Sequence, residues 1–222
     1  MTPRRLVELS HPIRDGMVTL PGLPGPELTV HLTRAASTAV YAPGTSFEIG
    51  RISMIANTGT YLDSPHHRFA DGADLARLTL EQLVDLPALV VDASGQPGVA
   101  IDVPLLEGID VAGRAVLLRT GDSARFGTAE YVDDASFLTR SGAEWLVAQG
   151  VALVGIDSAN IDDMSDLERP AHTVLLAAGT PIVEHLTGLE ALPAEGARFT
   201  AVPPRVEGFG TFPVRAFAVV PG

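Results

Sequence analysis

The sequence predicts one domain of the α/β or α+β class, built on a mixed and partly barrel-like β-sheet flanked by helices. Its apolar runs are short and rich in β-branched residues, which is typical of buried strands. Its predicted helices are few and lie mostly in the second half of the chain. The 222 residues, 46% of them hydrophobic, suit a single domain over 1–222 with a substantial core.

Short strands are expected along most of the chain. Segments 27–33 and 47–56 alternate like strands, and the apolar part of the second, RISMIA, is predicted to be buried, with Gly50 at a candidate bulge. The other predicted strands are PALVVDA (87–93), RAVLLRT (114–120), VALVGID (151–157), PIVEHL (181–186) and VRAFAVV (214–220). A Pro- and Gly-rich arm is predicted at about 10–30.

Two helices have clear ends in the sequence. The segment 141–150 begins with Ser141 and has Glu144 three residues later, which predicts a capping box, and Gly150 ends it. The segment 171–179 is also closed by a glycine, Gly179. A third segment, 78–86, has helical spacing but is short.

Composition excludes several classes of function. The net charge of −12 makes a nucleic-acid partner unexpected, and no apolar run approaches the roughly 20 residues of a membrane span. No signal peptide is evident, so a cytoplasmic location is predicted. The chain contains neither Cys nor Lys, which excludes thiolate and Schiff-base chemistry, pyridoxal-phosphate anchoring and the phosphate-binding P-loop. No organic cofactor is expected.

The stretch NTGTYLDSPHHRF at 57–69 concentrates polar and titratable groups after an apolar run. Asp63 is expected in a turn between Gly59 and Pro65, where an aspartate is usually a backbone cap. His67 follows four residues later, and its neighbour His66 should face another direction.

Farther along the chain, His172 near a helix start and Glu184 on a strand can meet at one end of a sheet. Glu184 shares its strand face with apolar residues and therefore needs a partner. That partner is a cation or a proton, so Glu184 pairs with an arginine or has a metal-binding or catalytic role.

These segments together resemble the cyclase family of metal-dependent hydrolases, which includes bacterial kynurenine formamidases and isatin hydrolases. The resemblance covers nearly the whole chain, from LVELSHPIRDGM (6–17) to PVRAFAVV (213–220). The family's central motif is H-x-G-T-H-x-D-x-P-x-H. The positions that match it here are Gly59, Thr60, Asp63, Pro65 and His67, and the distal family pair corresponds to His172 and Glu184. The resemblance implies a swivelling β/β/α, cyclase-like fold.

Two motif positions depart from the family. Asn57 and Tyr61 stand where the family has the first two histidines, which bind the first metal together with the aspartate. An Asn oxygen is a weak zinc ligand, and a Tyr phenolate must be forced at neutral pH. The first metal site is therefore expected to be lost. Asn57 and Tyr61 remain candidates for hydrogen bonding to a substrate carbonyl.

The resemblance implies that Asp63, His172 and Glu184 hold one zinc or manganese ion, with His67 as general base. A hydrolase of a small amide, lactam or formamide is the first hypothesis. A metal-independent cyclase, dehydratase or isomerase is the second, and a small-molecule-binding protein without catalysis is the third. The expected partners are a small-molecule substrate and further copies of the chain, in a homodimer or homotetramer, with neither nucleic acid nor membrane.

Overall fold

The computed structural model describes residues 4–95 and 98–222. The strands are β1 (Arg5–Glu8), β2 (Glu27–Leu32), β3 (Ile49–Ser53), β4 (Tyr61–Asp63), β5 (Leu86–Asp92), β6 (Ala100–Ile101), β7 (Ala115–Arg119), β8 (Phe137–Leu138), β9 (Leu153–Ile156), β10 (Ile182–Glu184), β11 (Glu195–Thr200), β12 (Thr211–Pro213) and β13 (Phe217–Val220). The α-helices are α1 (Arg34–Ser37), α2 (Val103–Leu106), α3 (Arg140–Ala148) and α4 (Pro170–Ala177). Short 3₁₀ turns cover Pro65–His67, Leu80–Gln82, Asp122–Arg125, Ala129–Tyr131 and Leu189–Ala191.

Nine strands form one mixed sheet in the order β1-β13-β11-β5-β7-β9-β10-β4-β12. The central strands β5, β7, β9 and β10 are parallel, and the outer ones are antiparallel. Val7 on β1 and Leu62 on β4 belong to the same buried cluster, although their strands lie near opposite ends of this order. The sheet therefore curls towards a half-barrel. The predicted fold class, a single domain with a partly barrel-like mixed sheet, is confirmed.

The alternation of residues along β7 divides the core into two layers. Ala115 and Leu117 join the cluster inside the curled sheet, whereas Val116 and Leu118 face the other way. That second layer is covered by apolar residues of α3 and α4, such as Leu146 and Leu175. The unbroken apolar runs at 87–93, 114–120 and 151–157 are thus explained, because both faces of these strands are buried.

Several local predictions were wrong. RISMIA (51–56) was expected to be a buried strand, but strand β3 ends at Ser53, pairs only with β2 among the described residues and has exposed side chains, while residues 54–56 are half-buried. The bulge lies at His31 on β2, opposite Gly50. Helix α3 begins two residues earlier than expected, because the Thr139 side chain, not that of Ser141, accepts the hydrogen bond from Gly142 N. The segment 78–86 forms only a 3₁₀ turn.

The N-terminal region agrees with the predicted arm over most of its length. Residues 9–26 form turns and bends, while the end of the predicted arm is already strand β2. Within the described ranges, no helix is long and apolar enough to cross a membrane.

Candidate active site

The register of three neighbouring strands brings the motif residues together. Strand β4 lies between β10 and β12, and it places Asp63 opposite Thr211 and Tyr61 opposite Glu184. Residues that are directly opposite, or two apart along a strand, share one face of a sheet. The side chains of Tyr61, Asp63, Glu184 and Thr211 therefore point to the same side. The sequence had suggested that Asp63 lies in a turn, but Asp63 lies in this strand.

His172 reaches the same place from helix α4. Asp162 caps the start of this helix, with Oδ1 accepting a hydrogen bond from Ala171 N at 2.5 Å. Its Oδ2 lies 2.6 Å from Nδ1 of His172, and because a carboxylate only accepts, Nδ1 carries the hydrogen. Nε2 of His172 then lies 3.7 Å from Asp63 Oδ2 and 3.7 Å from Glu184 Oε1.

Three buried carboxylates surround this single imidazole. Asp63, Asp162 and Glu184 are almost completely inaccessible to solvent. Burial by itself lowers the pKa of His172, but Glu184, Asp162 and Asp63 outweigh it and raise that pKa to about 10. Burial raises the pKa of Glu184 to about 7, against the opposing effect of His172. This centre carries an excess of negative charge that a proton or a metal cation must balance.

One buried carboxylate oxygen has no hydrogen-bond partner among the described residues. It is Oδ2 of Asp63, which is buried and lies on the side of His172. A carboxylate beside an imidazole whose other nitrogen donates to a second carboxylate is the usual arrangement around a bound metal ion. The three residues whose ligand atoms all lie within 4.8 Å of one another are Asp63, His67 and His172, so His67 stands in this set in place of the predicted ligand Glu184. The residues present therefore fit a divalent cation.

Thr211 connects Asp63 to His67. Its hydroxyl makes a short hydrogen bond to Asp63 Oδ1 and lies 2.8 Å from Nδ1 of His67. Burial alone raises the pKa of Asp63, but hydrogen bonds and the charges of His172 and His67 lower it overall, so Asp63 stays ionised. The single hydroxyl hydrogen of Thr211 is then donated to Asp63, and Thr211 accepts from His67 Nδ1–H. In the neutral form of the ring, this pattern leaves Nε2 of His67 as a proton acceptor.

A close backbone approach holds Thr211 against His67. A Cβ atom on Gly210 would lie 2.3 Å from the backbone nitrogen of His67, so only glycine fits at this position. The carbonyl of Gly210 also accepts a hydrogen bond from Ser64 N at 2.7 Å. The loop before β12 is thereby fixed to the turn that carries His67.

Tyr61 belongs to a buried hydrogen-bond chain that ends at Glu184. Its hydroxyl donates to Glu184 Oε2 at 2.7 Å, and its oxygen lies 3.3 Å from His185 Nε2. Nδ1 of His185 lies 2.8 Å from the hydroxyl of Tyr131. Since Glu184 accepts the Tyr61 hydrogen, each member donates towards Glu184: Tyr131 to His185, His185 to Tyr61 and Tyr61 to Glu184.

These hydrogen bonds change the expected role of Tyr61. Its only hydroxyl hydrogen is committed to Glu184, so it cannot also donate to a substrate oxyanion, as the sequence had suggested. Burial and the Glu184 carboxylate raise the pKa of Tyr61 well above its usual value, which disfavours a phenolate ligand. Tyr61 therefore holds Glu184 in place. Oε1 of Glu184 accepts a further hydrogen bond from Ile161 N at 2.6 Å.

A cavity of about 190 Å³ opens over these groups. Its walls are formed by Leu20, Leu23, Asn57, Tyr61, His67, Arg68, Asn160, Arg169, His172 and Glu184. A larger cavity of about 600 Å³ lies between His11, Met54 and Val214, and its surface is mainly apolar. We place the chemistry in the smaller cavity, because the buried titratable groups converge there.

The structure brings together all six residues that the sequence singled out, namely Asn57, Tyr61, Asp63, His67, His172 and Glu184. Sequence reasoning did not find Thr211 and His185, and it gave Asp162 no particular role. Asp162 stands in the segment GIDSANID, where a cap before the next helix could have been predicted. Thr211 gives no local signal, because strand pairing alone places it beside Asp63.

A curled mixed sheet that gathers ionisable side chains beneath a small cavity is the arrangement of an enzyme with a candidate metal site. Residues 7–163 match the family model Cyclase, described as "Putative cyclase". This chain therefore belongs to the Cyclase family, and the predicted resemblance is confirmed.

Three known proteins show how far the similarity extends. A kynurenine formamidase from Erythrobacter litoralis is 32% identical over 205 residues, which cover 91% of this chain and 88% of the relative. A kynurenine formamidase from Bacillus cytotoxicus is 30% identical over 181 residues, or 81% of each chain. The solved structure of isatin hydrolase A from Ralstonia solanacearum superposes with a TM-score of 0.83 and 26% identity, covering 98% of this chain and 92% of the other. The chain is a hydrolase of this family.

Proposed function

We propose that this enzyme hydrolyses a C–N bond in a small amide, formamide or lactam, with His67 as the general base. One observation carries the proposal. The Thr211 bridge leaves Nε2 of His67 as a proton acceptor, and the same histidine forms part of the cavity wall above the buried Asp63 and His172. Similarity to formamidases and an isatin hydrolase supports the type of bond.

Asp63, His172 and Glu184 would hold one zinc or manganese ion. The unpartnered Oδ2 of Asp63 and the hydrogen-bonded Nδ1 of His172 support this set. Oε1 of Glu184 retains a second lone pair after its bond to Ile161 N, so it can still act as a ligand. Such an ion, when bound, lowers the pKa of a water molecule and polarises a carbonyl group.

The protein's own residues transfer the proton, hold the base in position and bind the substrate carbonyl. Nε2 of His67 accepts a proton from the attacking water and returns it to the nitrogen as the C–N bond breaks. Thr211 and the ionised Asp63 fix the ring of His67 during both transfers. Asn57 forms part of the same cavity wall, and its amide N–H groups are suited to donate to the substrate carbonyl.

Metal analysis and a turnover screen test this proposal together. N-formylanilines, lactams and small esters are the substrates to screen with purified enzyme. We expect about one ion per chain and turnover that chelation abolishes and zinc or manganese restores. Turnover that survives complete metal removal would favour the metal-independent hypothesis, in which Asp63 with His67, or His172 with Glu184, acts as an acid–base pair.

Two further expectations accompany this function. The cytoplasmic location is inferred from the sequence alone. Assembly into a homodimer or homotetramer is supported by the exposed apolar side chains of the β2–β3 hairpin.

A further inference from the structure

Two arginines lie in the wall of the active-site cavity. Arg68 directly follows the turn Pro65–His67, and Arg169 directly precedes helix α4. We infer that Arg68 and Arg169 bind a carboxylate group on the substrate, while the scissile amide of the same molecule lies beside His67. This inference rests on the proposed hydrolase function and adds a chemical class to its substrate.

Neither arginine is used in an ion pair within the described residues. Seven other arginines form ion pairs with carboxylates, namely Arg34, Arg114, Arg119, Arg125, Arg140, Arg198 and Arg215. Arg68 donates through Nε to Thr173 Oγ1 at 3.3 Å, and Arg169 donates to the backbone oxygen of Asp163 at 3.0 Å. Each guanidinium has five N–H donors, so most of its donors remain available to a ligand.

The acidic side chains near Arg169 make no ion pair with it among the described residues, although after the hydrogen bonds from Ser165 the charge of Arg169 also helps to lower the pKa of Asp163. Oδ1 of Asp163 accepts hydrogen bonds from both the backbone nitrogen and the hydroxyl of Ser165. Glu168 pairs with Arg140 at 3.0 Å. Eight of the 15 arginines form no ion pair among the described residues, and of these Arg68 and Arg169 are the two that line this cavity. They are therefore placed to accept an anion from solution.

The backbone at Arg169 is strained. Its φ of 49° and ψ of 61° lie in the left-handed region, which is unfavourable for a residue other than glycine. The following Pro170 makes the conformation less usual still, because a residue before proline favours extended angles. A hydrogen bond from Arg169 N to Asp166 O at 3.3 Å supports the turn. Strain of this kind commonly persists where it positions a functional side chain.

A substrate that carries a carboxylate needs positive charge in the cavity wall, because the groups beneath the cavity are acidic. The carboxylates of Asp63, Asp162 and Glu184 lie beneath the cavity and repel any anion that enters it. The planar guanidinium group matches the geometry of a carboxylate and can bind it through two parallel hydrogen bonds. The cavity volume of about 190 Å³ corresponds to about six water molecules, which favours a small substrate.

A matched substrate pair tests the inference. N-formylanthranilate carries a carboxylate, and its methyl ester presents the same formamide without the charge. We expect wild-type kcat/KM to favour the acid by about tenfold or more, mainly through KM. Arg68→Gln and Arg169→Asn should each reduce this preference. Asparagine is chosen at 169 because it tolerates left-handed angles. Arg4→Gln, an exposed arginine without an ion pair among the described residues, is the matched control.

Direct binding separates this inference from the proposed hydrolysis. Isothermal titration with anthranilate and with methyl anthranilate measures recognition of the carboxylate without any turnover. If binding of anthranilate depends on the arginines but no substrate is hydrolysed, the anion site stands and the proposed function fails. If the ester binds and reacts as well as the acid, or if the arginine variants weaken both ligands equally, the inference is overturned.

Discussion

The Oγ1 atom of Thr211 lies 2.8 Å from the Nδ1 atom of His67. The same oxygen is bonded to the ionised Asp63, so the contact fixes both the ring orientation of His67 and the position of its proton. Thr211, which is distant from His67 in the sequence, thereby orients the proposed general base.

Removing the Thr211 hydroxyl should impair catalysis more than substrate binding. Thr211→Val keeps the size of the side chain but leaves His67 Nδ1 and Asp63 Oδ1 without this partner, so we expect kcat to fall roughly ten- to a hundredfold. Thr211→Ser keeps the hydroxyl and should retain most activity. Imidazole ¹⁵N shifts of the metal-free protein should show the Nδ1–H form of His67 in the wild type. Unchanged shifts and kcat in the valine variant would refute the bridge.

His67→Ala should lower turnover by roughly 10²- to 10⁴-fold, because it removes the group that transfers the proton. Metal content should persist if His67 is a base and not a ligand, whereas Asp63→Ala and His172→Ala should lose the ion. His66→Ala is the matched control, since His66 lies outside the lining of the active-site cavity. Loss of activity in the His66 variant alone would mean that the wrong histidine has been identified.

Asn57 and Tyr61 should not bind a metal ion together. The Tyr61 hydroxyl hydrogen is bonded to Glu184, and the raised pKa of Tyr61 disfavours the phenolate that a metal would need. Elemental analysis should therefore find no more than one zinc or manganese ion per chain. The double variant Asn57→His/Tyr61→His restores the family motif and should bind a second ion. Two ions in the wild-type protein would contradict this prediction.

Acid should destabilise the protein partly through His185. Burial, with a smaller effect of His11, lowers the pKa of His185 from 6.5 to about 3. Between these two pH values the unfolded chain binds the proton and the folded chain does not, so the free energy of unfolding falls as pH falls. His185→Gln should reduce this dependence by up to about 1.4 kcal/mol per pH unit. Urea unfolding between pH 4 and 6 measures the difference, and equal slopes would show that His185 is not the group responsible.

The β2–β3 hairpin should mediate self-association. Val40, Phe47 and Ile52 are 72%, 54% and 59% exposed around it, and an isolated two-stranded hairpin is only marginally stable in water. Ile52→Glu should shift the protein towards the monomer in sedimentation experiments. Leu167→Glu, a change at an exposed apolar residue outside the hairpin, should leave the assembly intact. A wild-type protein that is monomeric at micromolar concentration would exclude this interface.

The sequence alone was enough to predict the central strands and the kinds of side chain that form the site. The buried runs that became β7 and β9 could be predicted because a strand covered on both faces must be apolar throughout. The ends of α3 and α4 were marked by Gly150 and Gly179, which do adopt left-handed backbones. The motif residues Asp63 and His67, with their distal partners His172 and Glu184, were found from spacing and family resemblance.

Only the tertiary structure decided how these groups are used. The exposure of strand β3 could not be predicted, because alternation shows that a segment is a strand but not what covers it. Thr211 lies 148 residues from Asp63, and strand register alone makes them neighbours. The fate of each proton is also a tertiary property, since it depends on which acceptor each hydroxyl and imidazole meets. For this reason Tyr61 bonds to Glu184, and Nε2 of His67 is left to accept a proton.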